Sequence, residues 1–319
     1  VPDDRLDNLT RLFNPKKEVN ATLEVVDIPG LQVGDDGKMK ITSDFLTKVK
    51  NNDLLLHVVR EFPNDSVSHP EGRIDPLADI EFLETEFLLT DLAMVENRIE
   101  KLKKELMKIK TDKLLKELGI FETFKDHLES EKPLRSLAID ENDLKLLSGF
   151  QFLTLKPMVL GINFSDESKD KVPGLIADIK KKFPSFENEV VPFFAQFEME
   201  LSQLSEEEAE AFKEDLGITE SALTRILRTS YELLGLQSFF TVGEDECRAW
   251  TIKKGYTAQQ SAGVIHSDFF NKFIRAEVVH YTDYISHGSF SKCKEAGVWR
   301  LEGKEYIVKD GDILNIRHS

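Results

Sequence analysis

Three short apolar runs constrain this chain most: Leu54-Leu55-Leu56-His57-Val58-Val59-Arg60, Pro157-Met158-Val159-Leu160-Gly161-Ile162-Asn163 and Val190-Val191-Pro192-Phe193-Phe194. Each is shorter than an ordinary helix and apolar at alternate positions on both faces, which predicts strands buried on both sides. Helical periodicity separates them. The fold class this predicts is α/β: a mainly parallel sheet with helices over its faces, whose ligands sit at the carboxyl ends of the strands. At 319 residues the chain has room for two or three such cores.

A further run, Leu23-Glu24-Val25-Val26, leads into Asp27-Ile28-Pro29-Gly30, so a predicted strand over 22–28 ends in D-x-x-G. In nucleotide hydrolases this motif sets a carboxylate beside Mg²⁺ and a backbone N–H beside a γ-phosphate. A strand-ending Asp ahead of a Pro-Gly turn is the plainer alternative. The phosphate loop that should accompany the motif, G-x-x-x-x-G-K-[ST], does not occur; Gly37-Lys38 is followed by Met39 and lies after the D-x-x-G. The expectation is therefore that the phosphate loop lies ahead of Val1 and that the sheet is incomplete at its N-terminal side. The 319 residues alone are expected to bind ATP and GTP poorly and to be inactive.

Between the strands at 54–60 and 157–163, Leu92, Val95, Ile99, Leu102, Leu106 and Ile109 keep three-four spacing, and Leu114, Leu118, Phe121 and Leu128 continue it. This predicts an antiparallel coiled-coil hairpin, or a two-helix prop lying against the sheet. From about residue 237 the pattern turns to short strands around one helix at Ala258–Ile265, with a closing hairpin of 306–308 and 313–316 turning at Asp310-Gly311. The predicted domains are a nucleotide-type domain in two parts, 1–80 and 151–236, a helical insertion at 81–150, and a small β-grasp domain at 237–319.

Net charge is −16 with 42 Lys and Arg against 58 Asp and Glu, which argues against wholesale wrapping of nucleic acid and makes any such contact regional. Residues 98–116 carry eight Lys and Arg against three Asp and Glu. Arg98, Lys101, Lys104 and Lys108 are the candidate phosphate-contacting cations, with a solubilising helix face as the alternative for each. Two cysteines, Cys247 and Cys293, form no C-x-x-C and no metal spacing, which fits a reducing cytoplasm. No run is long and apolar enough to span a bilayer.

Arg248-Ala249-Trp250-Thr251, Ala262-Gly263-Val264-Ile265-His266-Ser267-Asp268-Phe269, Phe273-Ile274-Arg275-Ala276-Glu277 and Glu305-Tyr306-Ile307-Val308-Lys309-Asp310-Gly311-Asp312, together with His57-Val58-Val59-Arg60 and Asp75-Pro76 through Glu81, resemble the YchF/Obg-like ATPase family over essentially the whole chain. The resemblance implies a P-loop NTPase-type domain with a coiled-coil insertion and a C-terminal TGS domain. It implies slow ATP or GTP hydrolysis with Mg²⁺, and a ribosome partner, its large subunit foremost, with contact to tRNA or rRNA. A cytoplasmic monomer without membrane attachment follows from the same likeness. A non-hydrolysing ribosome or RNA adaptor is the rival, whereas a TGS-linked synthetase or alarmone enzyme lacks a zinc-ligand cluster or His-Asp metal pair in the sequence.

Carried residue by residue, the resemblance gives Asp27 the Mg²⁺ shell, through water, and Gly30 the γ-phosphate. Leu31 stands where Ras-like enzymes keep a water-orienting Gln, and an aliphatic side chain cannot polarise water. His69 falls at the family's catalytic histidine, where a neutral imidazole orients or deprotonates water; outside the resemblance it reads as a solvated loop residue. Asn163-Phe164-Ser165-Asp166 stands for N-K-x-D, with Phe164 in place of the stacking Lys, which relaxes purine choice and favours ATP mildly. Phe194, Ala195 and Gln196 fall where backbone amides approach the base edge, though as sequence they are simply a strand end. The segment 32–40 departs from the family's glycine-rich second switch by adding Asp35 and Asp36.

Overall fold

The computed structural model describes residues 1–33, 39–70, 72–147, 149–205, 208–209 and 220–319. Asp35 and Asp36 lie outside the described residues. The chain forms two compact units, one of residues 1–25 with 227–319 and one of residues 26–226.

The first unit begins with helix α1 (Asp4–Phe13), capped by Asp3, and strand β1 (Lys17–Val19). Leu6 and Leu9 are fully buried beside Phe240, Cys247 and Ile313. Residues 1–25 thus belong to the C-terminal unit, whereas the sequence assigned all of 1–80 to the nucleotide-type domain. The reason is a ladder invisible to local periodicity: β1 runs parallel to residues 246–248, with Lys17 opposite Glu246 and Val19 opposite Arg248.

The second unit holds β2 (Gln32–Val33), β3 (Met39–Lys40), α2 (Ser43–Lys50) and β4 (Leu55–Arg60). It continues with α3 (Pro76–Lys108), α4 (Asp112–Glu129), α5 (Glu141–Leu147), β5 (Met158–Asn163), α6 (Val172–Lys182), β6 (Val190–Phe193) and α7 (Ala195–Leu201). β4, β5 and β6 form a three-stranded, wholly parallel sheet in that order. Its core gathers Leu55, Val59, Leu160, Ile162, Ile80 and Phe87.

Two expectations for this sheet are corrected. Residues 22–28 form no strand; Val25 and Val26 are exposed, and no described strand pairs with them, so their donors and acceptors have no ladder to join. β4 is not buried on both faces: Leu55 and Val59 face the core, while Leu56 and Val58 on the opposite face are 38% and 55% exposed. As an edge strand of the described sheet, β4 is covered on one side only.

α3 and α4 form the expected antiparallel hairpin, with Asp75 and Thr111 capping their N-termini. Val95, Ile99 and Leu102 meet Phe121, Phe124 and Leu128 along the seam, and Phe150 and Phe152 extend this core, which is separate from that of the sheet. Ile109, placed in the seam by spacing, is exposed at the helix end. Asp91 is fully buried on α3 and accepts from the backbone N–H of Leu153 at 3.0 Å and of Thr154 at 2.7 Å, and from the Thr154 hydroxyl at 2.7 Å. These bonds fasten α3 to the chain entering β5.

After α8 (Ala222–Leu233) the C-terminal unit resumes with β7 (Leu236–Thr241), β8 (Glu246–Lys253), α9 (Ala258–Ile265), α10 (Ser267–Asn271) and β9 (Phe273–His280). α11 (Tyr281–His287), α12 (Phe290–Glu295), β10 (Arg300–Glu302) and β11 (Asp312–His318) complete it. The strand order is β1-β8-β7-β11-β9-β10, with β7 and β11 parallel at the centre, a β-grasp arrangement. The closing hairpin predicted from 306–308 does not form: Ile307 makes one isolated bridge to Thr257, and β11 pairs with β9 and β7. Buried Asp312 accepts from the Tyr306 hydroxyl at 2.8 Å and the Lys309 N–H at 2.9 Å, which folds 306–312 into a turn, with Gly311 at φ +86°.

Candidate nucleotide site

Asn163, the last residue of β5, joins the ends of all three parallel strands. Its carbonyl accepts from Glu61 N–H at 2.9 Å just past β4, and its side-chain Oδ1 accepts from Ala195 N–H at 3.0 Å just past β6. The following Phe164 N–H donates to the Phe193 carbonyl at 2.9 Å. These bonds fix the strand-end loops at the edge where a parallel sheet receives its ligand. Asp166 is exposed at the start of a 3-10 turn, Asp166–Lys171, steadied by a 2.7 Å contact between the Ser165 and Ser168 hydroxyls.

Two residues assigned to the base do other work. Phe164 is 1% exposed and sits in the sheet's core beside Phe194, so its ring offers no stacking face. Apolar burial outweighs exposure for a ring at the end of a core strand. The Ala195 amide is already spent on Asn163, and the Gln196 side chain donates to Glu200 at 2.8 Å; Ala195 therefore braces the loop. The half-buried Phe194 ring carries the Lys169 ammonium 5.7 Å from its centroid, a cation that the sequence reading left out of the site. A Lys six residues after Asn163 was the available signal, obscured by the departure from N-K-x-D spacing.

Asp27 and Gly30 are both exposed. Gly30, with Ile28 and Leu31, lines a small cleft together with Lys40, Thr42 and Lys48. Of the two lysines at that cleft, which the sequence reading did not single out, Lys48 pairs with Asp44 of the same cleft at 2.7 Å. A Cβ at Gly30 would meet nothing within 4 Å, so the space on that side of the glycine is open. No hydrogen bond or ion pair among the described residues joins Asp27 or Gly30 to Asn163 or Asp166.

His69 lies in the loop between β4 and α3, a loop held by Arg60, which donates to the Val67 carbonyl at 2.8 Å. Its Nε2 is 3.0 Å from Oδ2 of Asp79 in the first turn of α3, and the two side chains are only 12% and 11% exposed. It is thus docked rather than loosely solvated. Burial pushes the Asp79 carboxyl up, opposed by His69 and by the charge of Arg73. On β4, burial pushes His57 down to about 4, so at neutral pH it is an uncharged imidazole.

Of the four basic candidates, Arg98 is not available to an outside phosphate: it is 22% exposed and pairs with Glu117 at 2.8 Å and Glu105 at 3.4 Å. It faces across the hairpin, where Glu117 on α4 and Glu105 on its own helix neutralise it. Lys101 and Lys108 are exposed, and Lys104 is exposed with an i,i+4 pair to Glu100 at 2.6 Å.

The parallel sheet with its strand-end loops, the helical hairpin and the β-grasp unit define a nucleotide-hydrolase-type fold with two appended modules. Comparison with known proteins makes the class particular. The sequence model of the family YchF-GTPase_C, described as a protein of unknown function (DUF933), matches residues 236–319. "Ribosome-binding ATPase YchF" of Bacillus subtilis (strain 168) is 42% identical over 321 residues, spanning 100% of this chain and 87% of that protein. The protein of the same name from Escherichia coli O157:H7 is 38% identical over 317 residues, covering 99% and 86%. The solved structure of the Schizosaccharomyces pombe YchF GTPase superposes with a TM-score of 0.89 at 33% identity, covering 99% of this chain and 86% of that one. The chain belongs to the YchF family.

Proposed function

We propose that this protein is a ribosome-associated ATPase that also accepts GTP, with His69 in place of the usual water-orienting Gln. The observation that carries the reading is the docking of His69 by Asp79 on the unit that also holds the D-x-x-G and the Asn163 junction. The names of its relatives, ribosome-binding ATPases, support the same reading. An aliphatic Leu31 leaves the attacking water without a Gln, and the His69 imidazole takes that place.

Mg²⁺ fits the donors present. An exposed carboxylate, Asp27, suits an ion that keeps several waters and takes its other ligands from substrate phosphates. Bound there, the ion supplies charge neutralisation for the β- and γ-phosphates. The chain's own part is to present the Gly30 amide to the phosphates and Asp166 to the base, and to hold a proton acceptor at His69. In this reading the basic hairpin face and the β-grasp unit meet the ribosome, at RNA of the large subunit, and the protein works as a cytoplasmic monomer.

His69→Ala, in protein expressed from its whole open reading frame, tests the reading. Turnover falls by about 10²–10⁴-fold while nucleotide affinity stays near that of the parent, because the imidazole acts in the transition state. Equal turnover in mutant and parent would assign His69 to loop structure and favour the non-hydrolysing adaptor.

A further inference from the structure

Resting on the ribosome association proposed above, we infer that the tip of the α3–α4 hairpin is a protein-docking surface: Met107, Ile109 and Leu115 enter an apolar recess on a ribosomal protein, and the acidic rim of that recess meets Lys108, Lys110 and Lys113. RNA then meets the hairpin's flank, and protein meets its end.

The tip is held from both sides. α3 closes with the Ile109 N–H donating to the Glu105 carbonyl at 3.0 Å, and α4 opens with the Thr111 hydroxyl accepting from Leu114 N–H at 3.3 Å, so residues 109–111 alone make the turn. A turn fixed before its partner arrives costs less to order on binding. The inner seam ends here, with Leu106 buried and Leu114 half-buried. Outside it apolar side chains reappear. Met107 is 86% exposed, more than any other large apolar side chain among the described residues, and Ile109 and Leu115 are 66% and 50% exposed.

Exposed apolar residues scattered singly need no explanation, but three gathered around one turn mark an interaction site. The hairpin's own stability does not use them, because Val95, Ile99, Leu102, Phe121, Phe124 and Leu128 already fill the seam. Their neighbours define the partner's charge. Lys108, Lys110 and Lys113 are exposed and form no ion pair among the described residues, whereas Lys104 is paired with Glu100 and Lys116 with Asp143. The one acid of this stretch, Asp112, stands in the first turn of α4, where the positive end of the helix favours it. An excess of positive charge persists here in a chain of −16 overall, and an acidic rim is its complement. The apolar side chains select protein over RNA. Unstacked bases bind on aromatic rings or guanidinium planes, and residues 107–116 contain neither. Phosphates would engage the lysines and leave the aliphatic groups wet. A recess in a protein buries them, and the unbranched Met107 side chain adapts to its shape.

A diazirine amino acid at position 107 of the whole-reading-frame protein tests the docking, since its carbene inserts into protein and RNA alike. Irradiated with purified ribosomes, it is expected to give an adduct that survives ribonuclease, is lost to protease and maps to a ribosomal peptide in which Asp and Glu outnumber Lys and Arg. Four results would overturn the docking and leave the ribosome reading standing: an adduct lost to ribonuclease, one on a second copy of this chain, one on a peptide without acidic excess, or none from protein that sediments with ribosomes. Met107→Ser with Ile109→Ser is expected to weaken sedimentation about tenfold or more. Because both side chains are exposed and uncharged, the salt slope and thermal unfolding should stay those of the parent. Lys110→Glu with Lys113→Glu should weaken binding and lower the slope. Parent-like affinity in either double variant would also overturn the docking. If the parent does not sediment with ribosomes, the ribosome reading and the docking fall together.

Discussion

The Arg5 guanidinium lies 2.7 Å from the Asp310 carboxylate, binding residues 305 apart in sequence within one compact unit. Arg5 also bonds Asp3 through two donors, and its charge sits 5.2 Å from the Phe240 ring centroid. Asp310 in turn accepts from Ser238 N–H at 2.9 Å, so one carboxylate ties α1 to β7 and to the turn before β11. Helix α1 is therefore clamped at its first turn, while Leu6 and Leu9 anchor its inner face.

Removing the clamp should loosen α1 selectively. Arg5→Ala should cost about 1 kcal/mol, a figure held down by solvent screening at the half-exposed Asp310. Amide exchange at Leu6 and Leu9 should then quicken by about fivefold, with the strands of residues 26–226 unaffected. Burial alone would push the Asp310 carboxyl up; the Arg5 and Ser238 hydrogen bonds override it and hold the group below its ordinary value. A carboxyl held down in the folded state contributes stability above its unfolded pKa and loses it as pH falls through the folded one. Protection of α1 should therefore decline below about pH 4 in the parent and less steeply in Arg5→Ala. Parallel declines in the two proteins would dissociate Asp310 from the effect.

Asp91 makes a sharper prediction. Its buried carboxylate satisfies two backbone N–H groups and one hydroxyl at Leu153 and Thr154. Asp91→Ala strands those donors, at about 1–3 kcal/mol each when buried, so a loss of at least about 3 kcal/mol is expected in urea unfolding. Asp91→Asn keeps an acceptor oxygen and should lose less.

The short strands were legible because apolar runs of that length have few other uses, and α9 at Ala258–Ile265 was legible from its length and bounds. What escaped was whatever depends on a distant partner. The run at 23–26 has strand composition but no described neighbour, and β1 pairs with a strand 229 positions away. Arg98 looked like its neighbouring lysines until Glu117 appeared across the hairpin, and Phe164 looked like a base platform until the core claimed its ring. Asn163 was found by motif, but its use as a brace for Ala195 needed the fold.

Purine choice follows from what the Asn163 loop retains. Asp166 is exposed and the guanine-motif Lys is absent, so ATP and GTP should compete within a few-fold of one another, with ATP ahead. Asp166→Ala should weaken GTP more than ATP, because only guanine offers the N1 and N2 donors that a carboxylate accepts. Competition titrations in the whole-reading-frame protein decide this. Strong GTP selectivity lost on Asp166→Ala would give Asp166 the ordinary guanine-reading role.

The hairpin makes a prediction in salt. With Arg98 committed to Glu117 and Glu105, and Lys103 paired with Glu122 across the hairpin at 3.2 Å, the outward charge of α3 rests on Lys101, Lys104 and Lys108, of which Lys104 shares its charge with Glu100. An exposed i,i+4 pair contributes only about 0.3–0.5 kcal/mol, so a phosphate can displace Glu100 at small cost. Each phosphate contact releases counterions and adds about one unit to the log–log slope of affinity against salt. Sedimentation with ribosomes across a salt series should therefore show Lys101→Glu, Lys104→Glu and Lys108→Glu together weakening binding steeply and lowering the slope by about two to three units. Arg98→Glu should act differently. It sets a negative charge against Glu117 and Glu105 within the hairpin, so it should lower the hairpin's stability while its effect on the salt slope stays below that of any exposed lysine. Unchanged affinity and slope in the triple variant would remove the hairpin from the interface and leave the β-grasp unit to make the contact.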